Sequence, residues 1–202
     1  MKSIQSVDQL TGTGFNEIAF VGRSNVGKST LINRITNNSK LVKTSSKPGH
    51  TQALNLFNVA ERLTLVDMPG YGFRSQTEWG DLILSYLGTR KELKRLFIVI
   101  DPIAGIKDTD KQIMKILDQQ PLSYQIVLTK RDRMTDEAFN KAKAEIEQYL
   151  VKHAICCYPE LLSTGMRRKS KSKAKDEARY EDDITRVRWS ILKAAGIKPK
   201  GA

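Results

Sequence analysis

Gly22-Arg23-Ser24-Asn25-Val26-Gly27-Lys28-Ser29 has the spacing G-x-x-x-x-G-K-[ST], which suits a loop that holds phosphate. Its glycines let the backbone curl so that successive N–H groups face an anion. A helix starting near Lys28 adds the positive end of its dipole. Gly22 to Gly27 would form the cradle and Thr30 would complete the phosphate-binding set. Lys28 would reach the β- and γ-phosphates of a nucleoside triphosphate, and the Ser29 hydroxyl would sit on Mg²⁺.

About forty residues on, the apolar run Leu63–Val66 ends in Asp67-Met68-Pro69-Gly70. An acid at the tip of a buried strand is where an NTPase of this kind holds Mg²⁺ through water. Gly70 would bring its N–H close to the γ-phosphate. Taken alone, D-x-P-G is equally a common turn.

A third segment, Thr129-Lys130-Arg131-Asp132, follows the apolar run Ile126–Leu128. A carboxylate there can accept from both N1–H and the 2-amino group of guanine. Adenine offers no donors at those positions, and a site built for them rejects it. Asp132 is therefore expected to select GTP over ATP, with Lys130 lying along the base or bracing the phosphate loop. Leu162-Ser163-Thr164-Gly165 forms a further loop, in which Ser163 and Thr164 could add backbone contacts to the guanine carbonyl.

Chemistry at three separate strand ends needs a frame that gathers them. Ile18–Val21, Leu63–Val66, Leu96–Ile100 and Ile126–Leu128 are apolar at consecutive positions, as strands covered on both faces are. Amphipathic helices are expected near Asp108–Gln119, Asp136–Val151 and Asp183–Ala195, each with apolar residues three or four apart. The alternation predicts an α/β fold, a mainly parallel sheet with helices on both faces, whose ligands gather beyond the carboxyl ends of the strands.

At 202 residues one domain suffices. The expected division is an N-terminal extension over 1–15 and a single domain over 16–202, with a basic loop at about 166–180. A net charge of +12 predicts attraction to polyanions, and six of the nine residues Arg167–Lys175 are basic. Cys156 and Cys157 are adjacent and only two histidines are present, which argues against a disulfide and a zinc site. No apolar stretch reaches the ~20 residues of a membrane span. Trp79 and Trp189 read as packing residues more readily than as base-stacking platforms.

Arg23–Ser29, then Lys47-Pro48-Gly49-His50-Thr51-Gln52, then Asp67-Met68-Pro69-Gly70-Tyr71-Gly72-Phe73, together resemble the EngB (YihA/YsxC) family of translation-factor-related GTPases. The resemblance covers about residues 15 to 165. It implies a Ras-like P-loop NTPase sandwich with a six-stranded, mostly parallel sheet, a monomer that binds GTP and GDP and helps assemble the large ribosomal subunit. It also implies that Thr51 closes on Mg²⁺ and the γ-phosphate with Gly49 beside it, so that Lys28, Thr51 and Gly70 carry catalysis, with Mg²⁺ on Ser29, Thr51 and Asp67. Tyr71 stands where Ras has its water-orienting Gln, so slow, partner-stimulated hydrolysis is expected. Asn25 matches the phosphate-loop Asn of potassium-activated relatives, which suggests a K⁺ site; a solvent-facing Asn in a turn fits as well. After Thr164 the sequence leaves the bacterial pattern through the basic insertion Met166–Tyr180. That suggests a mitochondrial matrix member whose leader lies outside this sequence, with the bacterial cytoplasm as the alternative.

Rival readings are an RNA-binding module with a structural guanine nucleotide, its charge directed at rRNA or a ribosomal precursor, and an ATP-dependent small-molecule kinase. The kinase leaves Thr129–Asp132 and Lys47–Gln52 unexplained.

Overall fold

A computed structural model of the chain describes residues 2–4, 9, 12–43, 53–71, 76–166 and 174–198, without the side chains of 76–81 and 174–178. In chain order the elements are β1 (Lys2–Ile4), β2 (Asn16–Gly22), α1 (Lys28–Ile35), β3 (Leu54–Val59), β4 (Leu63–Asp67), α2 (Gln76–Thr89), β5 (Leu93–Ile100), α3 (Asp108–Gln119), β6 (Tyr124–Leu128), α4 (Asp136–His153), β7 (Leu162–Ser163) and α5 (Ala174–Ala194).

The strands form one sheet in the order β1-β3-β4-β2-β5-β6-β7. From β4 to β7 all pairs are parallel; β1–β3 and β3–β4 are antiparallel. The sheet has seven strands, not the six expected. β1 is three residues long with Ile4 alone buried, too short to show a period of two, and it adds an edge by pairing with Leu54–Leu56.

The central strands are buried on both faces, which is why they read as unbroken apolar runs. In β2, Ile18 and Phe20 join one core with Leu31 and Ile32 of α1 and Ile184, Val187 and Ile191 of α5. Ala19 and Val21 join the other core, with Ile83 and Tyr86 of α2, Ile113 and Leu117 of α3, and Phe139 and Ile146 of α4. Helices thus cover both faces, two on one and three on the other.

Local chemistry sets the helix ends. The Thr135 hydroxyl accepts from Ala138 N at 3.2 Å, an N-cap, and Lys152 and His153 lie at the negative end of α4. The final helix begins at Ala174, nine residues before its expected start at Asp183. Ala174–Arg179 has no apolar stripe but is rich in helix formers, a signal that periodicity alone misses. Of the basic run, residues 167–173 lie outside the described residues. Trp189 is 50% exposed, so the packing role expected of it is at most partial; the Trp79 side chain is outside the described residues.

Candidate functional site

Parallel register brings the strand tips level. Phe20 pairs with Asp67 and Gly22 with Val99; Ile100 pairs with Leu128 and Leu128 with Ser163. The loops that follow therefore emerge side by side at one pole of the sheet.

The phosphate loop runs from Gly22 to the first turn of α1. Asn25 and Gly27 both have positive φ, 64° and 100°. Gly27 is at an angle that a side chain would strain, and this backbone turn delivers the chain into α1. Val26 is buried in the core and anchors the loop from beneath. Ser29 and Thr30 open α1, so their N–H groups lie at its positive end.

The turn after β4 lies against this loop. Met68 N–H donates to Phe20 O at 3.0 Å and Tyr71 N–H to Gly22 O at 3.3 Å, which continues the sheet ladder past the strands. A Cβ on Gly70 would come within 3.3 Å of Gly22 O, Ser24 N and Ser24 Oγ, so the glycine permits the close approach. The Lys28 ammonium meets the Asp67 carboxylate through Oδ1. Both residues are buried, and Asp67 Oδ2 has no hydrogen-bond partner.

Asp110, on the first turn of α3, was not foreseen from the sequence. It is fully buried and accepts from the Tyr71 hydroxyl at 2.5 Å and from Lys107 N–H at 2.7 Å. Arg23 Nε lies 3.2 Å from Asp110 Oδ2 as an ion pair, while Arg23 Nη2 donates to Gly105 O at 3.0 Å. Burial first, and then the Asp110 charge, raise the Tyr71 hydroxyl well above the usual phenol range. The phenol stays protonated and donates.

The third loop joins the first. The Thr129 hydroxyl donates to Val26 O at 2.5 Å, tying Thr129–Asp132 to the phosphate loop. The Lys130 ammonium pairs with Asp101 at the tip of β5, 2.6 Å away. Asp101 is another residue that the sequence reading passed over. Asp132 Oδ1 accepts from Met166 N–H at 2.9 Å, and Arg131 N–H donates to Thr164 O at 3.1 Å. Ser163–Met166 therefore lies beside Asp132. Within it, the Thr164 N–H is taken by Leu128 O at 2.7 Å, and the Ser163 hydroxyl faces Asp183 at 3.4 Å. Arg34 of α1 donates to Gly165 O, joining this loop to the helix that follows the phosphate loop.

The fold gathers Gly22–Thr30, Asp67, Gly70, Thr129, Lys130, Asp132, Ser163 and Thr164 at one pole. Gly49 and Thr51 lie outside the described residues. Among the described residues no His, Cys, Asp and Glu cluster of three or more could hold a metal ion. Cys156 and Cys157 are free thiols.

This arrangement sets backbone N–H groups at the start of α1 and a carboxylate at Asp132 side by side. Comparison with known proteins gives the family. The model of the 50S ribosome-binding GTPase family matches residues 17–130, more than half of the chain. A probable GTP-binding protein EngB of Gluconobacter oxydans is 44% identical over 166 residues, covering 80% of this chain and 73% of that protein. Its counterpart in Bartonella tribocorum is 40% identical over 179 residues, covering 82% and 83%. The crystal structure of a probable GTP-binding protein EngB superposes with a TM-score of 0.59 at 23% identity, over 89% of this chain and 98% of that one. Era of Aquifex aeolicus, bound to GDP and aluminium fluoride, gives 0.63 at 18% over 93% and 58%. At those identities the two structures speak for the fold alone: a Ras-like α/β sandwich. Phosphate loop, strand-tip acid and base-reading loop meet on the frame whose sequence relatives are EngB proteins, and the chain belongs to the EngB family of P-loop GTPases.

Proposed function

We propose that the chain is a slow GTP-hydrolysing switch in the assembly of the large ribosomal subunit. The observation that carries this reading is the bond from Thr129 to Val26 O. It locks the base-reading loop to the phosphate loop, so that one nucleotide spans both. In this reading Gly22–Thr30 cradle the phosphates and Lys28 contacts the β- and γ-oxygens. Gly70 and, from outside the described residues, Gly49 and Thr51 close on the γ-phosphate. Thr129, Lys130 and Asp132 hold guanine. Thr164 N–H already serves the sheet, so any contact from Ser163 and Thr164 falls to the rest of that loop.

The residues present fit Mg²⁺. Asp67 is a buried carboxylate with one oxygen unpartnered, and Ser29 stands next to its partner Lys28 in the first turn of α1. Such an atom is costly unless a cation or its water reaches it. Ser29, Asp67 and Thr51 would hold the ion, which neutralises charge on the transferred phosphoryl group. A K⁺ at Asn25 is the finer proposal; the positive φ there belongs to the loop's turn and suits either alternative.

Slow turnover follows from Tyr71. Its hydroxyl is engaged by Asp110, and it stands where a water-orienting Gln would be, so in this reading a partner completes the site. We take that partner to be rRNA or a ribosomal precursor, drawn by a chain of net charge +12 and by the basic run 167–175. The relatives named above are bacterial and lend nothing to a mitochondrial address. We therefore assign the cytoplasm of a bacterium, leaving only the basic insertion on the mitochondrial side. A monomer is assumed.

The test has two arms. The purified chain should retain GDP and GTP at micromolar concentrations, and Asp132→Ala should abolish its preference for guanine over adenine. The GTP-loaded chain should co-sediment with large-subunit precursors more than its GDP form does. Nucleotide binding with no such difference would leave a GTPase without this partner. The same Tyr71 geometry favours a second reading, an RNA-binding module with a structural nucleotide; the absence of any stimulation by large subunits would support that one.

A further inference from the structure

The side chains of Arg23, Asp110 and Tyr71 form a cluster to which the nucleotide grip assigns no role, and they come from the phosphate loop, from α3 and from the first position after Gly70. Asp110 accepts two hydrogen bonds, from the Tyr71 hydroxyl at 2.5 Å and from Lys107 N–H at 2.7 Å, and forms an ion pair with the Arg23 guanidinium, whose Nε lies 3.2 Å away. Tyr71 also gives its backbone N–H to Gly22 O and bridges to Arg23. It is thus fastened twice, by its backbone to the phosphate loop and by its side chain to α3. Its side chain is buried in the core cluster that also contains Met68 and Ile83.

We infer that Asp110 is a positioning residue for GTP hydrolysis, acting through Tyr71 as a latch on the Asp67–Tyr71 turn. Latched, the turn keeps Gly70 against Ser24 at the distance where a Cβ would meet the loop at 3.3 Å. That is the place from which a Gly70 N–H can reach a phosphate. The latch also sets the pivot: whatever the chain does after Tyr71 starts from a residue tied to α3. Release leaves Asp110 with Arg23 and Lys107 N–H still bound, so the buried acid remains satisfied and only one hydrogen bond is lost. A carboxylate that keeps one hydrogen bond and the charge of an arginine beside it can let the other bond go reversibly, and this separates a latch from a structural ion pair. α3 in turn gains a direct report of the state of the phosphate loop through Arg23.

This inference rests on the nucleotide site proposed above and on the family's GTPase activity. Its test compares wild type, Tyr71→Phe, Asp110→Asn and the double variant. The readouts are single-turnover GTP hydrolysis, the Kd for GDP and the melting temperature. Tyr71→Phe keeps the buried ring and removes only the hydroxyl, so it should fold even where Asp110→Asn does not. We expect Tyr71→Phe to slow hydrolysis at least fivefold with the Kd for GDP within twofold of wild type. Asp110→Asn should slow it by a similar factor, and the double variant by no more than the larger single effect. Three outcomes overturn the latch alone: hydrolysis unchanged in Tyr71→Phe, losses that multiply in the double variant, or slowing matched by an equal loss of GDP affinity. A wild-type chain that binds no GTP overturns the nucleotide reading and the latch together.

Discussion

Replacing Thr129 by valine tests whether two of the site's loops act as one. The substitution preserves shape in a buried position and removes a single hydroxyl. That hydroxyl donates to Val26 O at 2.5 Å and lies 3.3 Å from Ile100 O. Ile100 O keeps the Thr129 backbone N–H at 2.9 Å, so Val26 O is the acceptor left without its donor. An orphaned buried acceptor costs about 1–3 kcal/mol. Where the cost appears depends on whether water reaches it. If the loops part slightly in the free protein, water satisfies Val26 O and stability is kept, and nucleotide binding must then force the loops together again. If they stay together, the melting temperature falls by about 2–4 °C per kcal/mol for a chain of this size. Titration with a fluorescent GDP and a thermal melt should together account for about 1–2 kcal/mol, which on the affinity side is about 5- to 30-fold. GDP and GTP should weaken alike, with discrimination against ADP unchanged. Wild-type values in both assays would refute the coupling. A collapse of base discrimination would show that Thr129 touches the base instead of bracing the loop.

Gly70→Ala places a methyl 3.3 Å from two backbone atoms of the phosphate loop, so single-turnover hydrolysis should fall about tenfold or more while GDP affinity changes little; unchanged hydrolysis would remove Gly70 from the reacting centre. Asp67→Asn takes away the charge that faces Lys28, and the factor by which Mg²⁺ tightens GTP binding should shrink about tenfold or more. An unaltered Mg²⁺ dependence, measured by titration with and without chelator, would exclude Asp67 as a metal-facing acid. Burial, with Asp118 adding to it and Arg95 opposing, pushes the Cys157 thiol from 9.0 up to about 12. The folded chain therefore holds that proton after the unfolded chain has released it, and the resulting stability is complete below pH 9 and lost as pH rises towards 12. Thermal melts should decline from about pH 9, and Cys157→Ala should make that decline shallower, since burial and Asp118 raise the Cys156 thiol from 9.0 as well; a flat profile to pH 11 would contradict this.

The features legible in the sequence are those whose cause is local. Gly27 must be glycine because of its own φ of 100°, and β2, β4, β5 and β6 read as strands because each is buried along its own length. β7 is two residues long and holds its place through pairing with β6, which no window of its own sequence reveals. α2 buries Leu82, Ile83, Tyr86 and Leu87 among its described side chains, and it went unpredicted. The site divides in the same way. Lys28, Asp67 and Asp132 announce themselves by motif, while Asp101 and Asp110 act only through Lys130 and Tyr71, residues 29 and 39 positions away. A carboxylate next to a helix start looks like a cap, and Asp110 is one, receiving Lys107 N–H. Its second role becomes visible only when the turn after β4 is folded against α3.

Three of the ion pairs seen among the described residues at this pole differ in what a ligand can ask of them. Lys130 and Asp101 keep 21% and 15% of their side-chain surface exposed, so water can share the rearrangement when a base is laid alongside. Arg23 and Asp110 join the phosphate loop to α3, and Asp110 is held by two further donors, so the acid does not depend on Arg23 alone. Lys28 and Asp67 are the constrained pair. A phosphate recruits the Lys28 ammonium, yet Asp67 is fully buried and already has one oxygen without a partner. Taking the ammonium away would leave a buried charge whose partner has gone, a loss of about 3–5 kcal/mol. A single contact to a phosphate does not return that much in a site still open to water. The exchange becomes favourable when a second cation reaches Asp67 as Lys28 turns to the phosphates. In the proposed site, nucleotide and cation would therefore bind as a unit because of where one acid is buried, and the linkage would belong to the protein before it belongs to the ligand.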